Sequence, residues 1–412
     1  MHALVHILGF LLVTSVSTGE PEETELSAEE QALIEQAIGE DVAESKTPGP
    51  KPLIIPSQPI RPAGNALTTP AMMNPAIALI ADFAVAYFSS DSPLQLGAHD
   101  PSRTGFTLQQ LELHAESKID HHFDLQVNLV FSEFGVELEE LYVQTLDLPA
   151  SLKLRAGQFL LPFGRVNPTH PHSWHFVDQA LMVGTFFGGE GGRGLGIETS
   201  WLMPIPWYAK LTAAVNQKTG QCCTLSFFDP DEAPIDGLED FLYTGRLEQF
   251  FDLSRAWSLL VGTSYMLGQN GTGPANQSHL RAGDVFIKYQ PSNSPNRFYT
   301  SVQAEWTQRQ KQVPGAVYDA QAGYLAWVVG LSPAWELGAR VEWLGAINGQ
   351  VLDPTLEGKR SRYTAQVTWY PSHFSRVRLQ GSLDEPDWLD EPIAAGMLAF
   401  EVLAGAHSAH VY

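Results

Sequence analysis

From Asn74 to Tyr412 the chain alternates apolar and polar side chains in stretches of ten to fourteen residues. The segment 123–131 shows the form: Phe123, Leu125, Val127, Leu129 and Phe131 fall on one face, and Asp124, Gln126 and Asn128 on the other. Successive side chains of a strand point to opposite faces, so a period of two predicts strands with one apolar and one wet side. The pattern places strands at 75–88, 105–119, 122–134, 136–148, 152–161, 192–202, 206–217 and 241–251. Others follow at 256–268, 282–291, 297–310, 320–331, 334–347, 358–371, 373–384 and 395–405. No helical period interrupts them. A soluble propeller would show blade-like internal repeats, and none is present.

The connections alternate in length. Tight turns fall at 120–121, 149–151, 203–205, 252–255, 291–296, 332–333 and 372. The others, 89–104, 162–191, 218–240, 269–281, 311–319, 348–357 and 385–394, are long, with one short exception at Gly135. Short turns at one rim and long loops at the other are what a membrane-spanning barrel around a polar lumen requires, and an even strand count returns the chain to its starting side. The expected fold is an all-β, transmembrane antiparallel β-barrel of about 16 strands over 74–412, set among the lipids of a bacterial outer membrane.

Composition supports this. No run of eighteen apolar residues follows the N-terminus, so no helical span is expected. Mean hydropathy is −0.09, as half-apolar strands require. Aromatic residues cluster at strand ends, among them Tyr87, Phe88, Trp201, Trp207, Trp257, Trp335, Trp343, Trp369, Tyr370 and Phe374. That placement suits interfacial girdles. Residues 1–19 read as a secretory signal peptide: Ala3–Val13 is apolar and Ser15-Val16-Ser17 is small, although no Lys or Arg precedes them. Residues 20–73 read as a periplasmic segment. Ten acids and no base lie in 20–45, with a short helix capped at Ser27, and a Pro-rich linker follows. The two cysteines, Cys222 and Cys223, are adjacent; they could form a ring disulfide or stay free, and no further ligands flank them for zinc.

The run Leu154-Arg155-Ala156-Gly157-Gln158-Phe159-Leu160-Leu161-Pro162-Phe163-Gly164, with Gly191-Gly192-Arg193-Gly194-Leu195-Gly196-Ile197, resembles the phosphate-selective porin O/P family. That family carries an R-x-G-x-F-x-x-P-F-G run, an aromatic loop, and an R-x-x-G lead into the next strand. The motifs occupy about 152–197 of this chain. Sixteen strands with a long third loop is also the plan of trimeric general porins. The resemblance therefore implies a homotrimer, with loop 162–191 folded into the lumen. It also implies a water-filled diffusion channel for small hydrophilic solutes or ions, with no cofactor and no nucleic-acid partner. Assembly signals of such barrels end on an aromatic residue, as Tyr412 does, although Ser408 and His410 break the apolar parity before it.

Candidate chemistry lies on the polar parity and in the third loop. The polar face carries eleven acidic and eleven basic side chains, a balanced wall. Arg362, Arg376 and Arg378 lie on neighbouring strands and could form a basic stripe opposite Asp178 and Glu190 of the loop, setting a field across a constriction. His170, His172 and His175 join that constriction, and three histidines within six residues could hold a divalent metal. Enzyme chemistry is not expected: no G-x-S-x-G or H-E-x-x-H run occurs. A TonB-dependent-like receptor using the His-rich loop is the rival reading, but it needs a large plug and about twenty-two strands. The net charge of −22 falls to −12 without the acids of 20–45. With the lumen balanced, the remainder sits at the external mouth: Asp229, Asp231, Glu232, Asp236, Glu239 and Asp240 in one loop, and Asp384, Glu385, Asp387, Asp390 and Glu391 in another. Acidic mouths concentrate cations, so a weakly cation-selective or nonselective pore is expected.

Overall fold

The computed structural model describes residues 75–133, 135–228, 235–273, 275–294, 297–346 and 352–405. The expected signal peptide, acidic helix and linker lie outside these residues, as do Asp229, Asp231, Glu232, His407, His410 and Tyr412. The described chain is a single closed antiparallel sheet of sixteen strands. They run β1 (Ala76–Phe88), β2 (Gly105–Lys118), β3 (Phe123–Ser132), β4 (Gly135–Thr145), β5 (Leu152–Leu160), β6 (Arg193–Leu202), β7 (Tyr208–Asn216) and β8 (Leu242–Asp252). The second half is β9 (Trp257–Gln269), β10 (Gln277–Tyr289), β11 (Tyr299–Val313), β12 (Ala316–Ser332), β13 (Trp335–Gly345), β14 (Arg360–Ser372), β15 (Ser375–Pro386) and β16 (Ile393–Gly405). Each strand pairs with its sequence neighbours, and β1 pairs with β16 from Ala78↔Gly405 to Phe88↔Ala395, leaving no free edge.

The alternation has the sense of a membrane barrel. Along β13, Trp335, Leu337, Val341 and Trp343 face out while Glu336, Arg340 and Glu342 are buried inside. Outward apolar residues continue around the wall as Ile197, Leu211, Leu325, Val367, Leu379 and Phe400. Charged side chains cost several kcal/mol against lipid hydrocarbon, whereas a lumen tolerates them. At the rim of the short turns, Trp335 and Trp369 sit opposite one another and stack at 6.3 Å, and Trp257 packs on Tyr289 at 4.8 Å.

Two local departures from simple alternation position the site. Asn128 pairs with Glu140 but Leu129 pairs with Leu138, so Glu139 is an extra residue in β4. A bulge shifts the pleat by one, and Glu139 and Glu140 both turn inward and are buried. The same happens in β2, where Gln109 is skipped between Leu108 and Gln110 and both glutamines are buried. One expected loop is absent. Residues 311–319 do not form a long connection; β11 and β12 pair out to Val313↔Ala316. The reason is local: Pro314-Gly315, with Gly315 at φ +80, supplies the fixed and left-handed residues of a two-residue turn.

Candidate functional site

The third external loop, between β5 and β6, fills the outer part of the lumen. Its shape follows from a sequence of anchors. At its base, Leu161 N–H donates to Gly192 O, and Asn167 Nδ2 donates to both Leu161 O and Gly192 O at 2.9 Å. The loop then crosses the lumen to β9 and β11. Gly164 N–H donates to Ser264 Oγ, and the N–H groups of Arg165 and Val166 donate to the two oxygens of buried Glu305, at 3.1 and 3.2 Å. Gly164 has φ +65, and a Cβ there would overlap the Glu305 carboxyl group. The Pro162-Phe163-Gly164 run is thus a bend that docks backbone amides on a carboxylate.

The loop next returns to β2–β4. His170 Nδ1 lies 3.0 Å from Glu139 Oε2, and its Nε2 lies 3.0 Å from Glu140 Oε2. His172 Nδ1 meets Glu112 Oε2 at 2.8 Å, and the two imidazoles stack with centroids 5.5 Å apart. His175 goes elsewhere, to Glu336 Oε1 at 3.0 Å on β13. The three histidines therefore do not converge: His170 and His172 share the Glu112 side, and His175 faces another wall.

Beyond His175 the loop is clamped by the arginines expected to line open water. Arg376 donates to Trp174 O and His172 O while its Nε meets Glu401 at 2.8 Å. Arg378 donates to Phe176 O at 2.9 Å. Asp178 is fully buried; its Oδ1 meets Arg340 at 2.7 Å and Gln380 at 2.8 Å, and its Oδ2 meets Arg362 at 2.8 Å. Arg362 is 1% exposed and also pairs with Asp384 at 2.8 Å. Arg362, Arg376 and Arg378 are adjacent on β14 and β15 as expected, but they hold the loop rather than presenting a stripe to solvent. Burial opposes ionisation of the Asp178 carboxyl group, yet Arg340 and Arg362 outweigh it and hold its pKa below the usual range.

The loop ends in a short helix, α1 (Leu181–Phe187), every residue of which is buried. It packs against β11–β13 and shares one buried apolar cluster with Leu242, Met266, Leu280, Ala282, Ala320, Ala322 and Leu344. That part of the inner wall is apolar, contrary to a uniformly polar lumen, and its alanines leave room for the helix. Gly188 then runs against the carbonyls of Gln221 and Cys222, where a Cβ would overlap them. Cys222 and Cys223 are joined to each other by a disulfide. Glu190 closes the loop on His99 of the first external loop at 3.1 Å. Burial lowers the His99 pKa, but the hydrogen bond and charge of Glu190 more than reverse this, raising it to about 9.

The open space lies on the far side of the loop. A cavity of about 330 Å³ is bounded by Arg165, Trp174, His175, Asp178, Lys288 and Tyr324, among others. A second, of about 690 Å³, continues to the short-turn rim past Arg255, Trp257 and Arg297, and shares Arg165, Phe286 and Lys288 with the first. The Arg165 guanidinium lies 4.2 Å over the Phe286 ring, and the Lys288 ammonium 5.0 Å from the Tyr299 ring centroid. Among the described residues, no carboxylate stands within ion-pair distance of either cation. Lys288 falls on the polar parity of β10, whereas Arg165 sits in the loop, where alternation does not reach.

No family model matches the chain. It is 29% identical over 340 residues, 75% of this chain and 71% of the relative, to an uncharacterized protein of Aquifex aeolicus. Similar solved structures are the outer membrane channel DcaP of Acinetobacter baumannii (TM-score 0.55, 9% identity, covering 82% of this chain and 99% of that one) and OprB of Pseudomonas putida (0.54, 11%, 80% and 94%). A trimer form of OmpT, an outer membrane protein of Vibrio cholerae, matches at TM-score 0.51 with 9% identity, over 80% and 99% of the two chains. At these identities the likeness is one of fold: a transmembrane β-barrel of the bacterial outer-membrane type.

Proposed function

We propose that the chain is an outer-membrane porin that passes small hydrophilic solutes and ions through the space between the third loop and β10–β13. The carrying observation is a pair of cavities that share Arg165, Phe286 and Lys288 in their walls. The fold it shares with the outer membrane channel DcaP and with OprB supports the reading, and the trimer form of the OmpT relative supports a homotrimer. A TonB-dependent-like receptor is less well supported, since sixteen strands fall short of the number that plan needs.

The lining of the two cavities supports a selectivity opposite to that expected from the mouth acids. The acidic mouth favours cations, but exposed loop charges act over a Debye length of about 8 Å at physiological salt and are screened. Arg165 and Lys288 line both cavities and lie on aromatic rings, with no carboxylate within ion-pair distance among the described residues. They favour anions there, which agrees with the resemblance to phosphate-selective porins. The test is a planar-bilayer recording on the refolded barrel in a KCl gradient. A reversal potential of anion sign is expected, moving toward zero in Arg165→Gln/Lys288→Gln. A cation-sign potential unaffected by those substitutions would return control to the mouth acids. Absence of any conductance would remove the porin reading.

A further inference from the structure

The loop anchor at β2–β4 has more ligand chemistry than an anchor needs. Glu112, Glu139 and His170 bring one carboxylate oxygen, a second carboxylate oxygen and an imidazole nitrogen within 4.8 Å of one another. His170 Nδ1 is 3.0 Å from Glu139 Oε2 and 4.0 Å from Glu112 Oε1. Glu112 is wholly buried, and its Oε1, on the His170 side, has no hydrogen-bond partner. A carboxylate oxygen buried without a donor is costly, and this one is aimed at the other two candidate ligands.

We propose that Glu112, Glu139 and His170 form a site for a divalent transition-metal cation such as zinc, pinning the third loop to the barrel wall. Imidazole and carboxylate ligands suit such ions, with metal–ligand bonds of about 2.0–2.2 Å. Tetrahedral ligands at that range stand about 3.3–3.6 Å apart, between the 3.0 and 4.0 Å separations on the two sides of His170 Nδ1. The surrounding groups are those that orient metal ligands. Glu140 Oε2 faces His170 Nε2 at 3.0 Å, the carboxylate–histidine arrangement that fixes an imidazole for coordination through its other nitrogen. His172 holds the remaining oxygen of Glu112 at 2.8 Å, leaving Oε1 for the ion. With the imidazoles neutral, Glu112, Glu139 and Glu140 carry three negative charges, of which a dication offsets two. Side-chain exposure of 19% at His170 gives the ion a way in. The bulge at Glu139 is what makes the site: strict alternation would put that carboxylate on the lipid face.

The test is titration of untagged, metal-stripped, refolded full-length barrel with zinc chloride by calorimetry. Micromolar or tighter binding is expected, weakened at least tenfold in Glu112→Gln, Glu139→Gln and His170→Asn. His175→Ala is expected to bind as wild type. Each variant is first checked for heat-modifiable migration on gels, and X-ray absorption of zinc-loaded wild type reads the ligands directly: one imidazole with oxygen donors is expected. A wild type that binds no zinc, a signature of several imidazoles or of sulfur, or binding that survives Glu112→Gln but is lost in Glu190→Gln would overturn the proposal. Conductance without added metal is recorded on the same protein. A barrel that conducts but binds no zinc sinks this site and leaves the pore, and one that binds zinc but does not conduct does the reverse.

Discussion

Replacing Asp178 by alanine removes one carboxylate from between two buried guanidinium groups, at 2.7 Å from Arg340 and 2.8 Å from Arg362. Breaking a buried ion pair from one side costs about 3–5 kcal/mol because the partner charge stays buried. Here both arginines retain a second carboxylate, Glu342 at 3.0 Å and Asp384 at 2.8 Å. The lower end, about 3 kcal/mol, is therefore expected. The loss falls on the loop alone, because the sixteen-strand ladder does not run through Asp178. At about 1.4 kcal/mol per factor of ten, local opening of the loop should rise by about a hundredfold. Amide hydrogen exchange followed by mass spectrometry reads this: peptides covering 174–187 should exchange about a hundredfold faster in Asp178→Ala, with strand peptides unchanged. The sign with pH follows from the lowered carboxyl pKa. The clamp is fully present above the unfolded carboxylate value of about 3.9 and is lost as pH falls through the lower folded value. Wild-type exchange, corrected for its intrinsic pH dependence, should therefore stay flat from neutral pH to about pH 4. Unchanged exchange at α1 in the alanine variant would refute the clamp.

Other outcomes follow from single contacts. The His99 pKa is raised to about 9, so its tie to Glu190 is complete below about pH 6.5 and is lost as pH rises through about 9; limited proteolysis within 89–104 should accelerate over that window, and not in His99→Gln. Gly164→Ala forces a Cβ into the Glu305 carboxyl group at positive φ, and should lower loop protection without changing strand content by circular dichroism. Leu325→Arg places a charge on the lipid-facing wall, where Leu325 is 48% exposed, and should cost about 2–4 kcal/mol near the bilayer midplane by urea unfolding in liposomes; a cost near zero would put Leu325 outside the hydrocarbon.

The barrel wall was legible because one physical constraint repeats along it. Lipid outside and polar groups inside impose a period of two, and turns of different length at the two rims fix the direction of travel. Where that reading slipped, another local rule won. The Pro314-Gly315 turn was hidden because Lys311, Gln312 and Tyr318 look like loop residues, yet their strands continue the ladder beyond the expected ends. Glu139 was hidden because a bulge adds one residue to the count, and nothing in a Glu-Glu pair announces which of the two is skipped.

The loop was legible as a loop, and its partners were not. Polar parity says that Arg362, Arg376 and Arg378 face inward; it does not say whether water or protein meets them there. That is decided by a segment about two hundred residues away in sequence, whose backbone carbonyls and Asp178 take up their hydrogen bonds. The same neutral lumen thus divides into two environments. Where the third loop lies against β13–β16, acids and bases cancel in pairs, and the charges hold structure. Beside the Glu305 dock, the Arg165 and Lys288 side chains rest on aromatic rings, with no carboxylate within ion-pair distance among the described residues. A balanced tally of charges therefore says little about selectivity. Which cations, among the described residues, are left without a carboxylate once the loop has docked is set by the loop's path through the lumen.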